Sequence, residues 1–179
     1  MLITISGFHG TGKTTIAEKL AHDFKLSYIA AGDVFRQMAK EKQMDLKEFS
    51  KYVEQNPEVD HEIDKRTVEA AKKGNVVLDG LLAAWMTQDI SGIDILFITD
   101  EDVRINRIAQ REKRQYQEVK DETLSREKSE IARFKTLYNI NLNDYSIYDI
   151  VLNTGLLSQE AVIRIVITLI KEYLKSNLK

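Results

Sequence analysis

The chain has no cysteine, a single proline and three scattered histidines in 179 residues. Without cysteine there is no disulfide framework and no thiolate metal site, which suits a reducing compartment and makes a cytoplasmic protein the expectation. The length is that of one domain able to bury a core without covalent or metal help. No apolar run approaches the roughly 20 residues of a membrane span, and Met1-Leu2-Ile3-Thr4-Ile5 is too short for a signal-peptide core. A charge excess of one sign is also missing. Lys and Arg number 26 against 28 Asp and Glu, for a formal charge of −2. That excludes the broad basic field of a general nucleic-acid binder. Repeats, low-complexity tracts and linkers are absent as well, so 1–179 is expected to be one domain and a monomer, with no membrane or nucleic-acid partner.

The most informative stretch is Gly7-Phe8-His9-Gly10-Thr11-Gly12-Lys13-Thr14, followed by Thr15. It fits G-x-x-x-x-G-K-[ST] and sits between the apolar run at residues 1–5 and a helical face of Ile16, Ala17, Leu20, Ala21 and Phe24, the context a P-loop requires. Glycines let successive backbone N–H groups face one point, and the helix N-terminus adds its partial positive charge, so a polyphosphate fits there. Lys13 is placed to reach the β and γ phosphates of ATP, and the Thr14 hydroxyl to ligate Mg²⁺.

Leu26 to Ala30 then reads as a second strand, and Ala31-Gly32-Asp33 as a turn with Asp33 as helix N-cap. Residues 31–73 carry three helical patterns and no strand. The second opens at Asp45 and the third at Pro57, where a missing N–H is tolerated. A helical insert between parallel strands is a natural clamp for a second substrate, or equally a plain crossover. Val76-Val77-Leu78 reads as a strand buried on both faces, and Ile93 to Ile98 as another. Thr99 to Asp102 fits a capping box opening a long charged helix that runs to Leu137. Tyr148 to Asn153 reads as the last strand, before a Ser158-capped amphipathic helix. Alternating strands and helices predict an α/β fold with a parallel sheet covered on both faces, its ligands beyond the C-terminal strand ends. Gly7, Gly32-Asp33, Asp79-Gly80 and Thr99 should converge on that edge.

Asp79 ends a buried strand beside the phosphate site and is the candidate acid for the metal, against the alternative of a solvated Asp-Gly turn. Six of the nine arginines lie between Arg104 and Arg133. Arg104, Arg107 and Arg111 share one helical face, and Arg126, Glu130 and Arg133 repeat that spacing. Eight acids from Glu101 to Glu130 make a merely solvated helix credible. The arginine share tips it toward phosphate, because guanidinium groups stay charged and donate paired hydrogen bonds. No Ser-His-Asp set, paired hydrolytic carboxylates or water-activating glutamine stands out. Transfer to a phosphate needs none, since that acceptor oxygen is already anionic.

Taken together, these residues resemble the nucleoside monophosphate kinases, most closely the archaeal type of cytidylate kinase. The similarity runs through Ala31-Gly32-Asp33-Val34-Phe35-Arg36, the runs at Glu48 to Tyr52 and Pro57 to Asp60, Val76 to Gly80 with Ala84-Trp85-Met86, and Ser146 to Asp149. It implies a P-loop five-stranded parallel sheet, a monophosphate-binding segment at 31–73, a mobile lid at 104–137, and transfer of the γ-phosphate of ATP to CMP or dCMP. It also implies that Arg36 holds the acceptor phosphate, that Arg107 lies on the adenine, that Arg111 contacts phosphate, and that Arg126, Glu130 and Arg133 hold the monophosphate and the transferring group. Lys13, Arg36, Arg111, Arg126 and Arg133 are the expected catalytic set. Gly80, Asp60 and Asp64 are the further acceptor-side candidates, against the alternative that the two aspartates are solvated helix charges.

Two positions depart from the family: Leu81 stands where an arginine is common, and Glu130 replaces an aspartate. Arg36 with Arg126 or Arg133 is expected to compensate for Leu81. Rivals are an AMP or UMP kinase of the same fold, a nucleotide switch, which usually carries an N-K-x-D run absent here, and an ATPase assisting nucleic-acid assembly.

Overall fold

A computed structural model describes residues 1–177. Five parallel strands form one sheet: β1 (Leu2–Ser6), β2 (Ser27–Ala30), β3 (Val76–Asp79), β4 (Ile93–Ile98) and β5 (Ile150–Asn153), in the order β2-β3-β1-β4-β5. The helices are α1 (Lys13–Phe24), α2 (Ala31–Glu41), α3 (Leu46–Glu54), α4 (Glu58–Lys73), α5 (Ala83–Met86), α6 (Glu101–Glu112), α7 (Tyr116–Tyr138) and α8 (Gln159–Asn177). No helix among the described residues is long and apolar enough to cross a membrane.

β1 lies between β3 and β4 and is buried throughout. Strand alternation sends Ile3 and Ile5 into a layer with Ile16 and Leu20 of α1 and Val166 and Ile170 of α8. Leu2, Val76 and Leu78 pack the opposite face against Ala71 of α4 and Ala83 of α5. Buried in the middle of this strand, the Thr4 hydroxyl is satisfied by donating to Asp94 Oδ1 at 2.5 Å. Register then fixes the functional edge. Ile5 and Ala30 both stand opposite Asp79, so Gly7 and Gly80 leave the sheet side by side.

Residues 31–73 are helical, as their patterning predicts, and form a core of their own. Phe35, Ala39, Phe49, Val53, Val59 and Ile63 are buried together, with Phe35 edge-on to Phe49 at 4.8 Å between ring centroids. Asp45 opens α3 with a complete capping box to Glu48.

Several local expectations fail. α2 begins at Ala31 with Ala30 as N-cap, so Asp33 lies inside the first turn, where it pairs with Arg36 instead of capping. The capping box at Thr99 does not form. Asp100 is the N-cap without a side-chain bond, the Thr99 hydroxyl is packed against Gly155, and Asp102 is drawn to Tyr116 and Lys120. The charged helix is two helices, because Lys113 turns left-handed at φ 54° and ends α6. No glycine or proline announces that break. Tyr148 and Asp149 precede β5, since the Asp149 carboxylate accepts from the Asp94 N–H at 2.8 Å while the Asp149 N–H donates to the Asp94 carbonyl at 2.9 Å.

Gly7 carries the tightest backbone constraint. At φ 142° it lies where L residues rarely go, and a Cβ there would stand 2.3 Å from the Phe97 carbonyl oxygen. Gly7→Ala is expected to lower stability to urea by about 1–3 kcal/mol or more. An unchanged unfolding midpoint would contradict the placement of β1 against β4.

Candidate functional site

The loop after β1 reaches α1 through Gly12, which caps the helix without a side chain, and the first turn holds no acid. Its N–H groups are therefore free to meet an anion. Within the loop the Phe8 carbonyl accepts from the Thr11 hydroxyl at 2.8 Å and from Lys13 Nζ at 3.1 Å. Lys13 is thus half-buried rather than exposed, and burial pulls its ammonium below the usual lysine range despite the pull of Asp79, Glu130 and Glu127. The Phe8 ring faces away, into a cluster with Leu82 and Phe134. Gly10, at φ 80°, is pressed against α6: a Cβ there would lie 2.5 Å from the Arg104 carbonyl oxygen.

Asp79 is buried at the end of β3 and accepts from the Thr14 hydroxyl at 2.7 Å and the Tyr28 hydroxyl at 3.2 Å. A buried carboxylate joined to a threonine hydroxyl beside a free helix N-terminus is a hard-oxygen set that fits Mg²⁺, which takes few protein ligands and completes its shell with phosphate and water. Among the described residues no group of three His, Cys, Asp or Glu could hold a metal by itself. The Tyr28 phenol is pushed up by its own burial and by Asp79, which keeps it a donor.

Two clefts open on this loop. One, of about 570 Å³, is lined by Lys13, Thr14, Arg36, Asp60, Asp79, Gly80, Arg111, Arg126, Glu130 and Arg133. The other, of about 700 Å³, runs between α6 and the start of α8 past Arg107, Thr154 and Leu157. Gly10, Gly12, Thr15 and Arg111 belong to both.

The arginines are not equivalent. Arg36 is half-exposed on α2 and holds Asp33. Arg107 donates to the Thr154 hydroxyl at 3.2 Å and the Thr154 carbonyl at 2.8 Å, while that hydroxyl donates to the Thr11 carbonyl at 2.8 Å. Its plane is thereby fixed along the second cleft. Arg111 is exposed and, among the described residues, pairs with Glu112 alone. Arg126 is held through Nε by Glu130 at 3.0 Å and lies over the Phe35 ring. Arg133 is buried, with Nε 2.8 Å from Asp60 and Nη1 2.7 Å from Ser129, whose hydroxyl reaches Glu54 of α3 at 2.6 Å. Asp60 is therefore a buried partner of α7, and the insert at 31–73 is fastened to α7 beneath the first cleft. Burial pushes the Glu130 carboxyl up, but His9, Arg126 and Arg133 more than offset it and hold it at about 2.

Leu81 lines the first cleft while packing in a cluster with Leu82, Trp85 and Phe134. It leaves the cationic side of that cleft to Lys13 and the arginines.

Sequence spacing missed the residues that assemble the site. Arg104, grouped by periodicity with Arg107 and Arg111, points inward: Nη1 and Nη2 meet Glu127 at 2.6 and 3.1 Å, Nη1 donates to the His9 carbonyl at 2.8 Å, and both side chains are buried. Glu127 also accepts from the His9 N–H at 3.2 Å, so that amide is not turned to phosphate. The only signal available was that Arg104 and Glu127 share the arginine-rich segment.

A parallel sheet with a P-loop beyond its central strand, a hydroxyl-carboxylate pair and two clefts joined at the loop defines a P-loop phosphotransferase fold. The same architecture is found in shikimate kinase from Bacteroides thetaiotaomicron, with a TM-score of 0.60 at 14% identity over 96% of this chain and 98% of that one. The description of the Cytidylate kinase-like family matches residues 2–156. The cytidylate kinase of Methanocaldococcus jannaschii is 49% identical over 170 residues, covering 93% of this chain and 95% of that protein. That of Methanococcus aeolicus is 46% identical over 169 residues, with the same coverage of each. The chain belongs to the cytidylate kinase-like family.

Asp64 does not line either cleft. It accepts from the Tyr138 hydroxyl, which also lies 3.1 Å from His61 Nδ1, at the far end of α7. Burial raises its carboxyl to about 6, against the Tyr138 hydrogen bond. A raised acid is more easily protonated when folded, so its contribution to stability is complete below about pH 4 and is lost as pH rises through about 6. Asp64→Asn does not titrate. From pH 4 to pH 8, wild type should lose on the order of 1–3 kcal/mol relative to this variant in urea unfolding. A difference that stays constant with pH would show that Asp64 is ordinarily solvated.

Proposed function

We propose that the chain transfers the γ-phosphate of ATP to CMP, giving ADP and CDP, with dCMP as a second acceptor. The observation that carries this is the pair of clefts sharing one phosphate loop. Two nucleotides, one in each cleft, would bring their phosphates together at the loop residues that both clefts share, beside Lys13 of the first. The similarity to named cytidylate kinases over most of the chain supports the choice of acceptor.

In this account the donor's phosphates rest on the amides from Gly10 to Thr15, with Lys13 near the transferring group and the adenosine along Arg107 in the second cleft. The monophosphate occupies the first cleft. Arg36 and Arg126 hold its phosphate, and Gly80 allows close approach beneath it. An anionic oxygen of the acceptor phosphate attacks the γ phosphorus in line as the bond to the β–γ bridging oxygen breaks. No side chain has to remove a proton, so the protein contributes positioning and charge neutralisation. Thr14 and Asp79 would hold Mg²⁺, which when bound supplies further neutralisation of the phosphate oxygens. Arg111, exposed and attached to the free end of α6, is placed to swing onto phosphate as the α6–α7 hairpin closes. Arg133 acts at one remove, since three of its nitrogens are already spent on Asp60 and Ser129. Asp60 and Glu130 then shape the cleft through the arginines they hold. A cytoplasmic monomer fits a cysteine-free chain of this size.

The test is a coupled assay that presents CMP, dCMP, UMP and AMP in turn with ATP and Mg²⁺. CMP is expected to give the highest kcat/KM, with dCMP next and AMP at least about tenfold lower. A preference for AMP or UMP would overturn the acceptor assignment, and hydrolysis independent of any monophosphate would overturn the kinase assignment.

A further inference from the structure

His9 stands where the phosphate loop meets the helix that carries the acceptor-side arginine, and the transfer described above makes no use of its ring. Nε2 lies 3.0 Å from Glu130 Oε2, while Glu130 Oε1 accepts from Arg126 Nε at 3.0 Å. With Glu130 held at about 2, its carboxylate offers only lone pairs, so Nε2 of His9 is the donor. Arg126 is gripped from behind through Nε and lies over Phe35, with its guanidinium carbon 4.9 Å from the ring centroid. Among the described residues no hydrogen-bond partner takes its two terminal nitrogens, which remain for a ligand in the cleft it lines. Arg133, about two turns along the same helix, is in the opposite condition, engaged by Asp60 and Ser129.

We propose that His9 is a positioning residue for the acceptor phosphate: from the donor's own loop it fixes one oxygen of Glu130, and through the other oxygen it fixes the Arg126 fork. Glu130 spans from loop to arginine with its two oxygens. The fork is therefore set by the loop that cradles the donor, and a shift of that loop would carry the acceptor's ligand with it. The backbone of His9 is anchored separately by Glu127 and Arg104, so the ring can be altered while the loop stays fastened. This role presupposes the kinase activity proposed above but not the identity of the base.

Steady-state kinetics in both substrates on His9→Ala, His9→Gln and His9→Asn test it, using whichever monophosphate the wild-type enzyme turns over best, so that a failed CMP assignment leaves the test intact. His9→Ala should raise KM for the monophosphate about tenfold with KM for ATP within about twofold, the scale of one lost charge-assisted bond. Gln carries an amide to the place of Nε2 and should restore most of the loss. Asn falls short of Glu130 and should behave like Ala, so the Gln and Asn pair decides the matter if His9→Ala does not fold. An unchanged monophosphate KM, a parallel rise in both KM values, or equal behaviour of Gln and Asn would each overturn the assignment.

Discussion

The buried pair of Arg104 and Glu127 is the interaction on which the site depends. A guanidinium and a carboxylate removed from water cost several kcal/mol each, and repay it only when geometry and remaining hydrogen bonds are complete. Here both guanidinium ends meet both carboxylate oxygens, and the surplus donor and acceptor capacity is used on the backbone of His9. The ion pair therefore does more than join α6 to α7. It sets the height of the phosphate loop against the two helices, and α6 in turn comes so close to Gly10 that only glycine fits.

From that fixed loop, charge is arranged by distance to the sheet. A chain with a formal charge of −2 presents an anion site by placing cations at one edge and neutralising them in pairs behind it. Arg133 is balanced by Asp60, Arg126 by Glu130 and Arg104 by Glu127. Each carboxylate holds its arginine by an ion pair, which keeps a long side chain in one orientation before any ligand arrives. The order entropy that a free arginine would lose on binding phosphate is thus lost on folding. Arg36, midway along α2, and Arg111, in the last turn of α6, remain exposed, each with a single surface ion pair.

What local sequence governs was legible. Loop geometry, Asp79 after a short apolar strand and the parallel α/β alternation all follow from contiguous residues, and each is where the pattern put it. What tertiary neighbours govern was not. Arg104, Arg107 and Arg111 share a face by spacing, yet one is buried against Glu127, one is clamped by Thr154 and one is solvated, because α7 and the loop after β5 approach that face at different heights. The break at Lys113 left no mark because a lysine can adopt the left-handed region at modest cost. Asp60 and Asp64, alike by periodicity, separate according to what α7 offers each: an arginine fork for one and a phenol for the other. His9 was legible as part of the phosphate loop but not as the partner of Glu130, since a lone histidine in a loop gains that meaning only from the acid that folds against it.

Whether two nucleotide clefts converge on one loop is measured most directly by the affinity of a compound joining adenosine and cytidine 5′ to 5′ through a chain of five phosphates. If both clefts open on the one phosphate loop, the second nucleoside binds intramolecularly, and the compound should bind at least about a hundredfold more tightly than ATP while competing with ATP and with CMP. Affinity no greater than that of ATP, with CMP binding undisturbed, would contradict it.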